Sequence, residues 1–402
     1  MLSPRRTYGM HAKLAALLSA VFAGAAAPPA AAEGPLIRLI DGRESDRIVR
    51  VNPRTLEPVS RPIETFRRGW SIDFSPDGRF LAYAASARPA RIHLIDVPRW
   101  RSAGVLTRGD IGTLTWARDD RLVEAGGTDI RVLAVPGGRV VARHNLDRFW
   151  IDSEAFPNGV AFLMQPRREV APAALVLVDG DGVLRRIRLD RIESGGNRRV
   201  SLRPALAVDA SGGRAYVVAP REPLVAEVDL ASGAVAYHPL GASAAKGAEE
   251  AWFRDAQWTA GGQIAITGDR MPPPLRNGRP AAGPIPYGLR LVDPRDWSIR
   301  TVNRRTNVLD TAGDRLLANG TTWSAGFRKS TSTGLVAFDL SGRPAFDRFA
   351  GKDVAVLGDH GRYAYVWVRP DRMLHVLDLR SGRTVNTIPT VPTRMPTLLS
   401  DR

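Results

Sequence analysis

Eight times along this chain a short apolar run ends in a turn residue, and a second strand-like run follows. Examples are Val49-Arg50-Val51-Asn52-Pro53, Leu94-Ile95-Asp96-Val97-Pro98, Ala226-Glu227-Val228-Asp229-Leu230 and Val376-Leu377-Asp378-Leu379. From Asn52 through the aligned turn residues to Asp378 the spacings are 44, 38, 45, 50, 64, 46 and 39. A period of about 40–50 residues built from short strands marks a β-propeller with one blade per repeat. The repeat constrains architecture but not activity, because propellers host binding, scaffolding and catalysis alike.

Each full unit reads as four strands, a to d from the inside outwards. In the clearest, Ser71 to Phe74 is strand a and Ser75-Pro76-Asp77-Gly78 a tight turn. Arg79 to Ala84 follows as b, Ile92 to Asp96 as c and Ala103 to Thr107 as d. No helical period is sustained after the N-terminal segment. Pro35 to Pro62 carries b, c and d without an a strand before them, while Pro396 to Ser400 resembles an a strand. The expectation is an all-β propeller of eight blades, closed by the C-terminal strand. The rival is seven blades, with Pro35 to Arg61 as a loose hairpin.

The runs Phe74-Ser75-Pro76-Asp77-Gly78-Arg79-Phe80-Leu81-Ala82-Tyr83, Val228-Asp229-Leu230-Ala231-Ser232-Gly233 and Leu377-Asp378-Leu379-Arg380-Ser381-Gly382 carry a family likeness. Through them the chain resembles the bacterial exported WD40-like propellers. These are the YVTN and TolB-type group beside the quinoprotein amine dehydrogenase β-chain-like superfamily. The resemblance implies a propeller over nearly the whole chain after the leader, and no particular activity. The Gly-His and Trp-Asp pairs of eukaryotic WD40 repeats are missing.

Residues 1–32 read as a signal peptide: basic Arg5, Arg6 and Lys13, an uncharged apolar stretch from Leu14 to Ala27, and Ala30-Ala31-Ala32 before Glu33. Fourteen apolar residues are too few to span a bilayer comfortably. The expected product is periplasmic or secreted, with residues 33–402 forming one propeller domain and no later transmembrane run. Cysteine is absent, which excludes disulfides, Cys-ligated metal and thiol catalysis. Without Arg5, Arg6 and Lys13, 54 basic side chains face 41 acidic ones, a net charge of +13. Where that charge sits matters more than its size.

Strand order sorts the loops. The a–b and c–d loops share one end of the ring, the b–c and d–a loops the other. On the b–c and d–a end, basic residues outnumber acidic ones by more than two to one. The candidate binding residues there are Arg67, Arg68, Arg167, Arg168, Arg270, Arg276, Arg279, Arg304, Arg305, Trp323, Arg328 and Lys329. The opposite end mixes Asp77, Asp119, Asp120, Asp181, Asp296, Asp314 and Asp359 with Arg54, Arg99, Arg139, Arg295, Arg343 and Arg383. Two long b–c loops, Asp269 to Pro286 and Thr322 to Lys329, belong to the basic end.

Strands a carry Asp73, Asp152, Glu154, Asp255 and Asp310. A ring of such carboxylates is a candidate Ca²⁺ site through Asp73, Asp152, Asp255 and Asp310, against the commoner role of bonding neighbouring backbone or arginine. His93 and His375 fall in c strands, His238 in a d strand, His144 in a loop and His360 in a turn, with no metal-ligand spacing. Zincin, nucleophile-elbow, dinucleotide and P-loop motifs are all missing, and no other cofactor is expected. The leading reading is a non-catalytic periplasmic propeller that binds a protein or other anionic envelope partner on its arginine-rich face. The alternative is an enzyme of the lactonase or quinoprotein-associated type acting at the channel mouth. Nucleic acid is a poor partner for an exported chain without an interleaved aromatic platform.

Overall fold

The computed structural model describes residues 36–40, 47–64, 69–85, 90–109, 112–196, 201–209, 211–240, 251–270, 285–323, 330–390 and 396–399. Among them there is no helix, and the strands form eight antiparallel sheets. Blade 2 is Gly69–Phe74, Phe80–Ala85, Ala90–Asp96 and Arg101–Gly109; blade 3 is Thr113–Arg118, Arg121–Gly126, Asp129–Ala134 and Arg139–Asn145. Blade 4 comprises Phe149–Phe156, Gly159–Gln165, Val170–Asp179 and Leu184–Gly196, and blade 5 Ala205–Asp209, Arg214–Val218, Leu224–Asp229 and Val235–Pro239. Blade 6 is Ala251–Trp258, Ile264–Arg270, Leu289–Asp293 and Ser298–Asn303. Blade 7 is Val308–Ala312, Arg315–Trp323, Ser330–Asp339 and Pro344–Arg348, and blade 8 Val354–His360, Tyr363–Val368, Met373–Asp378 and Thr384–Pro389.

Blade 1 is assembled from both ends of the chain. Thr397–Leu399 pairs antiparallel with Ile37–Ile40, which pairs Arg47–Arg50, which pairs Ile63–Glu64. The register sets Ile37 against Leu399 and Leu39 against Thr397. The seven-blade alternative is thereby overturned, since the N-terminal hairpin is an integral sheet. Its last strand falls just past Pro62. Blades 4 and 6 depart from four strands: Ser201–Leu202 joins the first at its outer edge, and Ile285–Pro286 pairs beside the second strand of the other.

Both faces of each blade are apolar because both are covered. In blade 2, Leu81 and Tyr83 pack with Ile37 and Ile48 of blade 1. Their neighbours Phe80, Ala82 and Ala84 point the other way, onto Leu114 and Trp116 of blade 3. Strand alternation therefore sends successive side chains into two different seams. Strands buried on both sides read as continuous apolar runs, as in Gly159–Gln165 and Tyr363–Val368. Eight buried clusters result, one in each seam between neighbouring blades.

The repeated turn residue is a backbone cap. Asp229 Oδ1 accepts the N–H groups of Ala231 and Ser232 at 3.1 and 2.7 Å, and Asp378 Oδ1 those of Arg380 and Ser381 at 3.1 and 3.0 Å. Asn52, Asp96, Asp179, Asp293 and Asp339 do the same in their own blades. Val178-Asp179-Gly180-Asp181-Gly182 is such a c–d hairpin turn. In the a–b turn of blade 2, Ser75 Oγ accepts the N–H of Phe80 at 2.8 Å, and Gly78 takes φ +66°, open to glycine without strain.

Ring closure makes the short C-terminal strand consequential. Leu398 is buried beside Tyr365, Leu374 and Val376 of blade 8. Truncation after Pro392 removes it and leaves the Ile37–Ile40 edge unpaired. The truncated protein should melt markedly lower and aggregate, and Leu398→Ala alone should cost about 2–5 kcal/mol. Scanning calorimetry with light scattering checks both, and unchanged melting of the truncated chain refutes dependence on closure.

Candidate functional site

The antiparallel order puts the b–c and d–a loops at one end of the ring. Arg167 and Arg168 are exposed between Gln165 and Val170, with the Arg167 guanidinium 4.8 Å from the ring centre of Phe149. Arg304 and Arg305 are exposed in the connection from blade 6 to blade 7, where the Asn303 side chain accepts the Arg305 N–H at 2.6 Å. Among the described residues none of these four cations has a carboxylate partner. Several acids of the same end are held by other cations: Asp353 by Arg369 at 3.0 Å, Glu193 by Arg221 at 3.1 Å, and Asp371 by Lys352.

Two of the predicted positions differ from their expected places. Arg270 ends the second strand of blade 6 and is half-buried, because that strand runs further than its apolar pattern. The backbone of Trp323 belongs to the Arg315–Trp323 strand and pairs with Ser330. Arg254 lies in the Ala251–Trp258 strand and is buried. Arg254 and Arg290 both stack on Tyr287, 3.5 and 3.8 Å from its ring centre. Arg67, Arg68, Arg276, Arg279, Arg328 and Lys329 lie outside the described residues.

At the opposite end the turn aspartates that cap backbone also hold arginine. Asp96 meets Arg99 at 2.7 Å, Asp293 meets Arg295 at 2.5 Å, and Asp378 pairs with Arg362. Arg118 bridges Asp120 at 2.9 Å and Asp181 at 2.8 Å. The Arg295 side chain, with backbone N–H donation, draws the Asp293 carboxyl down to about 2. Arg99, Arg295 and Arg362 are themselves exposed, so such pairs add little stability, yet they neutralise this end locally.

The inner-strand carboxylates mainly tie blades together. Asp73 Oδ2 accepts the N–H of Trp116 in the next blade at 3.1 Å, beside Ser71 Oγ accepting that of Leu114 at 2.8 Å. Asp152 accepts the Leu206 N–H of blade 5 at 3.4 Å, and Gln257 donates to the Leu309 carbonyl of blade 7 at 2.9 Å. Asp255 nevertheless feels the charge of Asp152 and Asp310. Burial, then repulsion from Asp152 and Asp310, pushes Asp255 up to about 7, and burial also raises Asp152. Arg203, stacked 5.1 Å from the Phe253 ring centre, acts against both shifts. No motif in the sequence marks Arg203 as a neighbour of these acids. Among the described residues no three acid or histidine side chains converge in a metal-ligand group.

The histidines are built into blades. His93 is pushed down to about 4 by burial and then by Arg91, and burial lowers His375, whose Nδ1 lies 3.2 Å from Thr387 Oγ1. His238 stacks on Trp297 at 3.7 Å and meets Glu227 at 2.9 Å. His144 is in a d strand rather than a loop, and His360 is a buried strand residue rather than a turn residue. Both strands extend past the apolar pattern that marked their ends.

No family model and no curated protein matches the sequence. Among solved structures the chain is similar to the dihydro-heme d1 dehydrogenase NirN in complex with DHE: 16% identity, TM-score 0.58, covering 90% of this chain and 74% of that one. It is similar to apo AztD from Citrobacter koseri at 13% identity and TM-score 0.57, covering 92% and 98%. BamB from Moraxella catarrhalis is 14% identical at TM-score 0.50, covering 79% and 87%. At such identities the likeness is one of fold. The chain is an eight-bladed β-propeller, consistent with its WD40-like and TolB-type resemblance.

The raised carboxyl of Asp255 has a signed consequence. Between the unfolded value near 4 and the folded value of about 7, the folded state keeps a proton that the unfolded chain releases. The associated stability is complete below about pH 4 and lost as pH rises through 7, a contribution of roughly 4 kcal/mol at most. Asp255→Asn should flatten the decline of melting temperature across that window and melt above wild type at pH 8. Identical pH profiles for the two proteins refute the shift.

Proposed function

We propose that this chain is an exported, non-catalytic binding or scaffolding propeller. Residues 1–32 supply its export signal, and the b–c and d–a end docks an anionic surface of a protein partner in the cell envelope. The observation that carries this reading is two adjacent pairs of exposed arginine at that end. Arg167, Arg168, Arg304 and Arg305 have no carboxylate partner among the described residues; at the opposite end Arg99, Arg118, Arg295 and Arg362 are matched by turn aspartates, and Arg54, Arg139, Arg343 and Arg383 stand exposed singly. Planar guanidinium forks favour carboxylates and phosphates beyond what charge alone gives. The rigid ring holds the four side chains without relying on a long loop. Among the described residues no helix is long and apolar enough to cross a membrane.

A second reading, an enzyme at the channel mouth, draws on Asp255. A carboxyl poised near neutral pH beside Asp152 and Asp310 suits general acid–base work. Against it, Asp73 and Asp152 are engaged in inter-blade hydrogen bonds.

Reversal of Arg167, Arg168, Arg304 and Arg305 to glutamate should reduce capture of the envelope partner about tenfold or more, mainly through slower association. Salt should weaken wild-type capture, since exposed charges are screened over about 8–10 Å. Equal reversal at Arg54, Arg99, Arg343 and Arg383 should matter much less. Pull-down across a salt series with both variants, each checked by circular dichroism, measures this. Equal loss in the two sets, or no salt effect, refutes the docking face.

A further inference from the structure

The outer strand of blade 4, Leu184–Gly196, divides its side chains between two seams. Ile187 and Leu189 enter the seam with blade 5. Leu184, Arg186 and Arg188 fall on the other face of the strand, and Leu184 packs into the cluster shared with blade 3. Register places Arg186 opposite Val176 and Arg188 opposite Ala174, both buried in that cluster. From the connection between blades 3 and 4, Arg148 reaches across and donates to the Pro172 carbonyl at 2.6 Å. Arg148, Arg186, Arg188 and Ala174 together line an open cavity of about 330 Å³.

Two of the three cations around this cavity are held by an acid. Asp147 pairs with Arg186 at 3.1 Å, and Asp190 with Arg188 Nε at 2.6 Å. Arg148 has no carboxylate partner among the described residues. Burial, then repulsion from Arg186, lowers its pKa; Asp147 and Glu169 act the other way, and Arg188 adds to the repulsion. Arg148 alone of the three has no paired acid, and a bound anion supplies one while relieving its repulsion from Arg186 and Arg188. Each guanidinium has five donors, so those now bonded to Pro172, Asp147 and Asp190 leave others available.

Volume and geometry narrow the ligand. The space falls at the low end for a small-molecule site and far exceeds the roughly 30 Å³ of a water. Ala174 supplies an apolar floor. A carboxylate offers two oxygens, whereas a phosphate monoester offers three terminal oxygens and an organic substituent to fill the remainder. We propose that this cavity binds a small organic phosphate, each terminal oxygen meeting one guanidinium of Arg148, Arg186 and Arg188. None of the four exposed arginines of the docking face lines it, so this site and that face stand or fall separately.

The full chain is titrated calorimetrically at low salt with inorganic phosphate, glycerol 3-phosphate and glycerol, and floated with vesicles containing phosphatidic acid. Saturable binding of glycerol 3-phosphate is expected, weakened about tenfold or more by Arg148→Gln. It should change less than about twofold when Arg304 and Arg305 are both replaced by glutamine. Bound ligand should raise the melting temperature of wild type and not of Arg148→Gln, whose unliganded melting reports its fold. Tighter binding of glycerol 3-phosphate than of inorganic phosphate supports a free organic phosphate. Vesicle binding that requires Arg148, with glycerol 3-phosphate inactive, places the same monoester on a lipid. No saturable binding of any probe, or equal loss in both variant sets, overturns the proposal.

Discussion

Every blade of this protein has two apolar faces, and neither is covered unless a neighbouring blade packs against it. That requirement cannot be met by an open row, because the two end blades would each expose a face. Curving the row into a ring removes both ends at once. The closing seams are those of blade 1, where Leu36, Val49 and Leu398 meet Tyr365 and Val376 of blade 8, and Ile37 and Ile48 meet Leu81 and Tyr83 of blade 2. Polar bonds reinforce the same closure: Tyr365 donates to the Pro53 carbonyl at 3.0 Å and Asn386 to the Thr55 carbonyl at 2.7 Å. Three residues of C-terminal strand thus complete a sheet edge and a hydrophobic seam together.

The architecture was legible because two local rules repeat along the chain. Carboxylate or amide caps at Asn52, Asp96, Asp179, Asp229, Asp293, Asp339 and Asp378 set the period. Doubly buried strands gave the apolar runs between them. Strand ends were less legible, since hydrogen bonding continues after side chains become polar. That is why His144, His360, Arg254 and Arg270 lie in strands. Grouping of residues across blades was not legible. Arg203 comes beside Asp152 and Asp255, and Arg148 beside Arg186 and Arg188, through ring packing that no sequence spacing encodes. The alternation Arg186-Ile187-Arg188 marks one face of a strand, but not the cavity beside it.

The turn caps also explain why charge is unequal at the two ends. An aspartate at a c–d turn satisfies one or two backbone N–H groups of that turn. Blade after blade, that need places carboxylates at the a–b and c–d end, where Arg99, Arg295 and Arg362 find them. At the b–c and d–a end the comparable cap, in the d–a connection after blade 6, is Asn303, which accepts the Arg305 N–H and carries no charge. In a chain rich in arginine, positive charge accumulates there as a consequence of turn chemistry. The same bias would arise in a propeller with no anionic partner, so basicity alone is weak support. Adjacent exposed arginines with no carboxylate partner among the described residues, although Glu193, Asp353 and Asp371 on the same end are paired with others, are the more specific observation.

The channel carboxylates show the opposite balance between structure and chemistry. An inner strand borders the axis, where adjacent blades are closest and backbone groups of one strand face side chains of the next. Asp73, Ser71 and Asp152 meet those groups directly, so their polarity serves assembly. Once neighbouring blades each contribute such an acid, their separation is fixed by ring geometry rather than chosen for chemistry. Asp255 then bears the repulsion of Asp152 and Asp310 and holds its proton toward neutral pH. A perturbed carboxyl in a channel is therefore what blade-to-blade stapling produces on its own. Acid–base function would require, in addition, an oxygen of Asp255 that bonds to neither neighbouring strand and an open path to it from the channel mouth.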